Sequence, residues 1–105
     1  MAKTYAVPRL EKRIPMELSV QIAGHPEVPG VETTFTQDVS SRGARVLTVR
    51  KWQQNDRLTI STRPGGFQSI ARVAYCHRAS DEGYAIGVEF MAASGKWVVN
   101  KASEE

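Results

Sequence analysis

The chain is poor in the residues that usually carry metal and redox chemistry. It has one cysteine, Cys76, and two histidines, His25 and His77. A lone cysteine cannot close an internal disulfide. His77 follows Cys76 directly in strand-like sequence, where successive side chains point to opposite faces, so the two cannot share a metal ion. His25 sits in a proline loop with no ligand spacing around it. No apolar run approaches the roughly 20 residues of a membrane span, and the opening MAKTYAVPRLEKR lacks the apolar core of a signal peptide. A cytoplasmic protein without a metal centre or membrane insertion is therefore expected. Also missing are a glycine-rich phosphate loop, a G-x-S-x-G elbow, a histidine close in sequence to Ser40 or Ser41, and any paired acid and base. Neither an enzyme nor a resident cofactor is expected.

What is present describes one folded unit. At 105 residues the chain can build a single core, and 41% hydrophobic with 24% charged residues is the composition of a soluble globular domain. The net charge of +3 is mild, but its distribution is uneven. Lys3, Arg9, Lys12 and Arg13 gather near the start, and Arg42, Arg45, Arg50, Lys51 and Arg57 follow in the middle. If the fold brings these clusters together they make one positive surface.

Period-two patterning runs through the chain. MELSVQIA (16–23), ETTFTQDVS (32–40), GARVLTV (43–49), DRLTISTR (56–63), FQSIARVAYCHR (67–78) and YAIGVEF (84–90) read as strands, separated by turn signals such as HPEVPG and PGG. Six such segments argue for an all-β, antiparallel barrel or sandwich. The division expected is an N-terminal arm over 1–15, a barrel over 16–92 and a tail over 93–105. The tail has room for one short helical turn, with Trp97 and Val98 available to cover a barrel end. Pro8 and Pro15 bracket a segment too short for a stable isolated helix, which makes the arm flexible.

Two short motifs remain. Arg9 and Arg13 form R-x-x-x-R, and Asp38, Ser40 and Gly43 form D-x-S-x-x-G. Separately, the first reads as two solvated arginines and the second as an Asx-type turn with a permissive glycine. Together and in this order they resemble the signature of the PilZ domain family, small six-stranded barrels that bind the bacterial second messenger cyclic di-GMP. The closing GVEF (87–90) is similar to the G-x-x-F ending common in that family.

The resemblance implies a cyclic di-GMP site at Arg9, Arg13, Asp38, Ser40 and Gly43. The chemistry suits such a ligand. An arginine fork bonds phosphate, matches guanine O6 and N7, and stacks on a purine face. A carboxylate accepts from the N1–H and N2–H donors of guanine, a serine hydroxyl serves phosphate or base, and a glycine lets backbone approach closely. Arg45 shares the strand face of Gly43 and joins as a further phosphate contact, with Lys12 beside Arg13. Many family members carry another arginine just before the pair. Pro8 stands there in this chain, which leaves open whether ligand binds as one molecule or a stacked pair.

The expected function is a ligand-gated adaptor whose arm is ordered by cyclic di-GMP and whose barrel then meets a protein effector. Two alternatives share the barrel. One is a protein-interaction module of pilus or motility machinery that binds no nucleotide. The other is a general nucleic-acid binder, disfavoured because few aromatics stand free among the basic clusters; Trp52, beside Arg50 and Lys51, also reads as a barrel-end plug.

Overall fold

Alternating sequence becomes strand wherever one face can be buried, and most of the described residues do so. The computed structural model describes residues 12–63, 65–80 and 83–99. Seven strands occur in the order β1 (Ile14–Pro15), β2 (Ser19–Ala23), β3 (Val31–Ser40), β4 (Gly43–Thr48), β5 (Arg57–Thr62), β6 (Phe67–Ser80) and β7 (Gly83–Gly95). All pair antiparallel in one sheet, β1-β3-β2-β5-β6-β7-β4, which the β3–β4 pairing closes. The six-stranded barrel expected from the sequence is therefore present, with β1 as an extra short strand along β3.

Inward positions fall on every second residue and form the core. Val20 and Ile22 of β2, Val46 of β4, Leu58 and Ile60 of β5, Ala71 and Val73 of β6, and Ile86 and Val88 of β7 are all buried. Cys76 is half-buried and packs against this core, while His77 is exposed. The strands tolerate bulges: β6 and β7 slip register at three places along their shared length, which bends a long hairpin around the barrel.

Tryptophans occupy both ends of β4. Trp52 is 2% exposed and lies at its far end, its indole N–H donating to Thr48 Oγ1 at 3.4 Å. The plug reading of Trp52 holds. His25 packs edge-on against it, with ring centroids 4.6 Å apart. Its Nδ1 accepts from the backbone N–H groups of Glu27 and Val28, which leaves Nε2 to donate to the Lys51 carbonyl at 2.8 Å. His25 thus ties down the proline loop that sequence reading left without a role. The turn into β5 is built around Asn55, at φ 76°, a conformation that asparagine tolerates.

The expected C-terminal helical turn is not found, and no helix occurs among the described residues. β7 instead continues through Met91–Gly95, because the backbone of Phe67–Ile70 offers it a partner. Gly95 ends the strand at φ +89°, and the next amide, of Lys96, donates to the Gly66 carbonyl. Trp97 does cover the start of β4, packed against Phe67 and Phe90. The buried valine that follows it is Val99, while Val98 is 47% exposed.

Trp52→Ala removes a buried aromatic and is expected to cost about 3–5 kcal/mol, read from urea unfolding. Val49→Ala, at a position 71% exposed, should stay within about 0.5 kcal/mol of wild type.

Candidate functional site

The two motifs meet because β1 zips onto β3. Ile14 lies opposite Val39 and Pro15 opposite Asp38, and the amide of Met16 donates to the Gln37 carbonyl. Arg13, just ahead of β1, is carried to Asp38. It donates from Nε and Nη2 to Asp38 Oδ1 at 2.9 and 2.6 Å. The side chains are 44% and 24% exposed respectively, so the pair faces solvent and remains accessible to a ligand.

From Asp38 the site extends across the sheet. Asp38 lies opposite Arg45 of β4, Arg45 opposite Gly87 of β7, and Gly87 opposite Tyr75 of β6. A register shift between Thr36 and Asp38 frees Gln37 from the ladder, and its Oε1 accepts from Arg45 Nε at 2.8 Å. Arg45 Nη1 donates to the Tyr75 hydroxyl at 3.1 Å, and its guanidinium carbon is 5.6 Å from the Tyr75 ring centroid. Tyr75 in turn stacks on His77, with centroids 4.7 Å apart and planes 28° from parallel.

Ser40 and Gly43 behave differently. They face each other across the Ser41–Arg42 turn, and both are buried. The Ser40 hydroxyl donates to the Gly43 carbonyl at 3.5 Å, and the Ser40 carbonyl accepts from Trp97 Nε1 at 2.6 Å. A Cβ built on Gly43 would overlap the Val88 carbonyl oxygen. Glycine is needed here for the close approach of β7, and its φ is unremarkable. Phe90 completes this corner by donating its amide to the Arg42 carbonyl at 2.8 Å.

A cleft of about 130 Å³ opens beside the motif, lined in part by Arg13, Arg42, Gly43, Tyr75, Gly87 and Glu89. Lys12 is exposed next to Arg13. Arg9 and Pro8 lie outside the described residues, as does most of the arm. The structure thus gathers Arg13, Asp38 and Arg45 on one outward surface and sets Ser40 and Gly43 beneath it. Sequence reading did not single out Gln37 or Tyr75. Gly87 entered only as the first residue of GVEF, although a glycine inside a strand pattern also marks a close approach.

Two comparisons with known proteins find a match, one of family and one of fold. The family model described as PilZ domain matches residues 8–96. Among solved structures, the Bacillus subtilis inhibitor of motility, MotI/DgrA, superposes with a TM-score of 0.66 at 18% sequence identity. That match covers 85% of this chain but 44% of the Bacillus protein, so the chain spans less than half of its length. At this identity the likeness is one of fold. No curated protein matches the sequence.

Gly43→Ala should destabilise the barrel by about 1–3 kcal/mol, because the added methyl meets backbone that cannot turn aside. Asp38→Asn breaks only a solvent-facing ion pair and should cost at most about 1 kcal/mol. Thermal unfolding of the two variants beside wild type checks both.

Proposed function

The chain belongs to the PilZ domain family, and we propose that it is a cytoplasmic receptor for cyclic di-GMP that passes the level of this messenger to a protein partner. The observation that carries the reading is the seating of Arg13 on Asp38, in line with Arg45. Arginines and one carboxylate on a common outward surface match a ligand made of two phosphates and two guanines.

On this reading Arg13 and Arg9 clamp the ligand from the arm. Ligand phosphate competes with Asp38 for the Arg13 guanidinium, and the released carboxylate accepts from the N1–H and N2–H of guanine. Arg45 and Lys12 add positive charge at the phosphates. Ser40 and Gly43 form the floor, and from their buried positions they hold the Ser41–Arg42 turn and the β3–β4 corner in shape. Binding orders the segment that carries Arg9 against the barrel, and the partner reads that arrangement. The gain in partner affinity cannot exceed the difference in ligand affinity between the two arm states.

A second reading, an interaction barrel that binds no nucleotide, is supported by a small apolar surface. Ile70 is 45% and Met91 48% exposed, and Ala92 lies opposite Ile70 across β6 and β7. The name of MotI/DgrA, an inhibitor of motility, fits a partner in motility machinery under either reading.

Calorimetric titration with cyclic di-GMP, with GTP and cyclic di-AMP as controls, tests the proposal. Saturable and guanine-selective heat is expected, and its stoichiometry decides between one molecule and a stacked pair at Pro8. Arg13→Ala and Arg9→Ala should each weaken binding about ten- to 150-fold, the loss of a charged hydrogen bond worth about 1.5–3 kcal/mol. Unchanged affinity in Arg13→Ala rejects the assignment, and no heat from folded protein turns the search to protein partners.

A further inference from the structure

The closed barrel leaves a stretch of β7 with a partner on one side only. β4 runs along β7 as far as Glu89, which lies opposite Gly43, and Phe90 donates its amide to the Arg42 carbonyl of the β3–β4 turn. Beyond that point β6 continues beside β7, pairing Ile70 with Ala92, Ser69 with Ala93, Gln68 with Ser94 and Phe67 with Gly95. Among the described residues no strand takes the other side of Met91–Gly95. The Lys96 amide donates to the Gly66 carbonyl, on the β6 side. Successive groups of an antiparallel strand alternate in direction, so the N–H and C=O groups of Gly95 and Ala93 point toward the open side.

The sequence of this edge does not guard it. Proteins blunt a free edge with lysine or proline, with an inward charge, or with a bulge that twists it away. Met91–Gly95 contains no charge and no proline, and the register shift at Ile70–Ala71 leaves Ala92–Gly95 in regular pairing beyond it. The flanking surface is apolar, since Met91 and Ile70 are exposed and Ala92 lies opposite Ile70.

We propose that the Met91–Gly95 edge of β7 pairs antiparallel with the same edge of a second copy of this chain, extending the sheet across a two-fold axis. The edge is its own match in length. It is bounded by the Phe90–Arg42 bond at one end and by the turn at Gly95, φ +89°, at the other. A two-fold through its midpoint, Ala93, uses the whole of it in both copies. In that register Ala93 faces its own equivalent, and Met91, the largest side chain of the edge, faces the second copy's Gly95, which has none. The paired stretch brings no like charges together, and the apolar surface at Ile70, Met91 and Ala92 becomes continuous between the copies. A contact this short falls below the area of a permanent dimer, so the association is weak and governed by concentration. The inference does not depend on the receptor reading.

The test is sedimentation velocity of the full chain over a dilution series reaching millimolar concentration, beside Ala93→Pro, Ala93→Lys and Ala93→Glu. Wild type should pass from monomer to dimer as concentration rises. Ala93→Pro removes an outward donor from each copy and should weaken the dimer about five- to 150-fold. Ala93 is exposed, so the charged variants should fold. Each sets like charges opposite one another across the two-fold, whereas an equimolar mixture of the two sets opposite charges there. The mixture should associate about two- to 30-fold more tightly than either variant alone. A wild type that stays monomeric throughout overturns the proposal, and slow hydrogen exchange at the Ala93 amide of that monomer would mean that a segment of the same chain covers the edge. A dimer that forms equally well in Ala93→Pro, or a mixture no tighter than its components, also overturns it, because the contact then lies elsewhere. The mixture decides the matter even where Ala93→Pro fails to fold.

Discussion

Closure of the sheet between β3 and β4 is the constraint on which the rest of this structure depends. Without it β3 and β4 would each present a row of unpaired backbone groups, and the apolar interior would open to water. Closure runs through a two-residue turn, Ser41–Arg42, flanked by Ser40 and Gly43. Three further contacts meet at that corner. β7 approaches so closely that only glycine fits at position 43, Phe90 bonds the turn, and Trp97 returns from the end of the described chain to bond Ser40.

The same corner explains how a structural device can also be a recognition device. A turn that must be rigid to close the barrel gives its neighbours fixed positions. Asp38 and Arg45 flank it on paired strands, and β1 adds Arg13 by two residues of pairing along β3. The charged groups face solvent, where their mutual ion pair adds little to stability and can be exchanged for contacts with an anion. Buried Ser40 and Gly43 bear the structural load below them. The division follows from cost: a buried hydroxyl must be hydrogen-bonded within the protein, whereas an exposed arginine can change partners.

Much of the fold was legible because alternation reports which residues face the core. β2, β4 and β5 bury every second residue as their patterns predict. The end of β7 was not legible. Met91, Ala92, Ala93 and Ser94 lack the β-branched and aromatic residues that favour strands, and they are exposed. They are extended because β6 supplies a partner backbone, and such context overrides local preference. His25 was opaque for a similar reason, since its partners Lys51 and Trp52 are distant in sequence.

By itself the sequence determined the class of fold, the alternation of β2, β4 and β5 and the identity of the two motifs, because each is written in local spacing and residue type. Tertiary structure alone decided which motif residues face outward, that Arg13 and Asp38 touch, and that Arg45, Gly87 and Tyr75 form one row. Those facts depend on the register of strands separated by up to dozens of residues. Register is set by bulges, as at Gln37 and between Val73 and Tyr75, and by close approaches such as Val88 on Gly43. A bulge shifts every later pairing by one position, and it leaves no reliable mark in the local pattern from which the strands themselves were read.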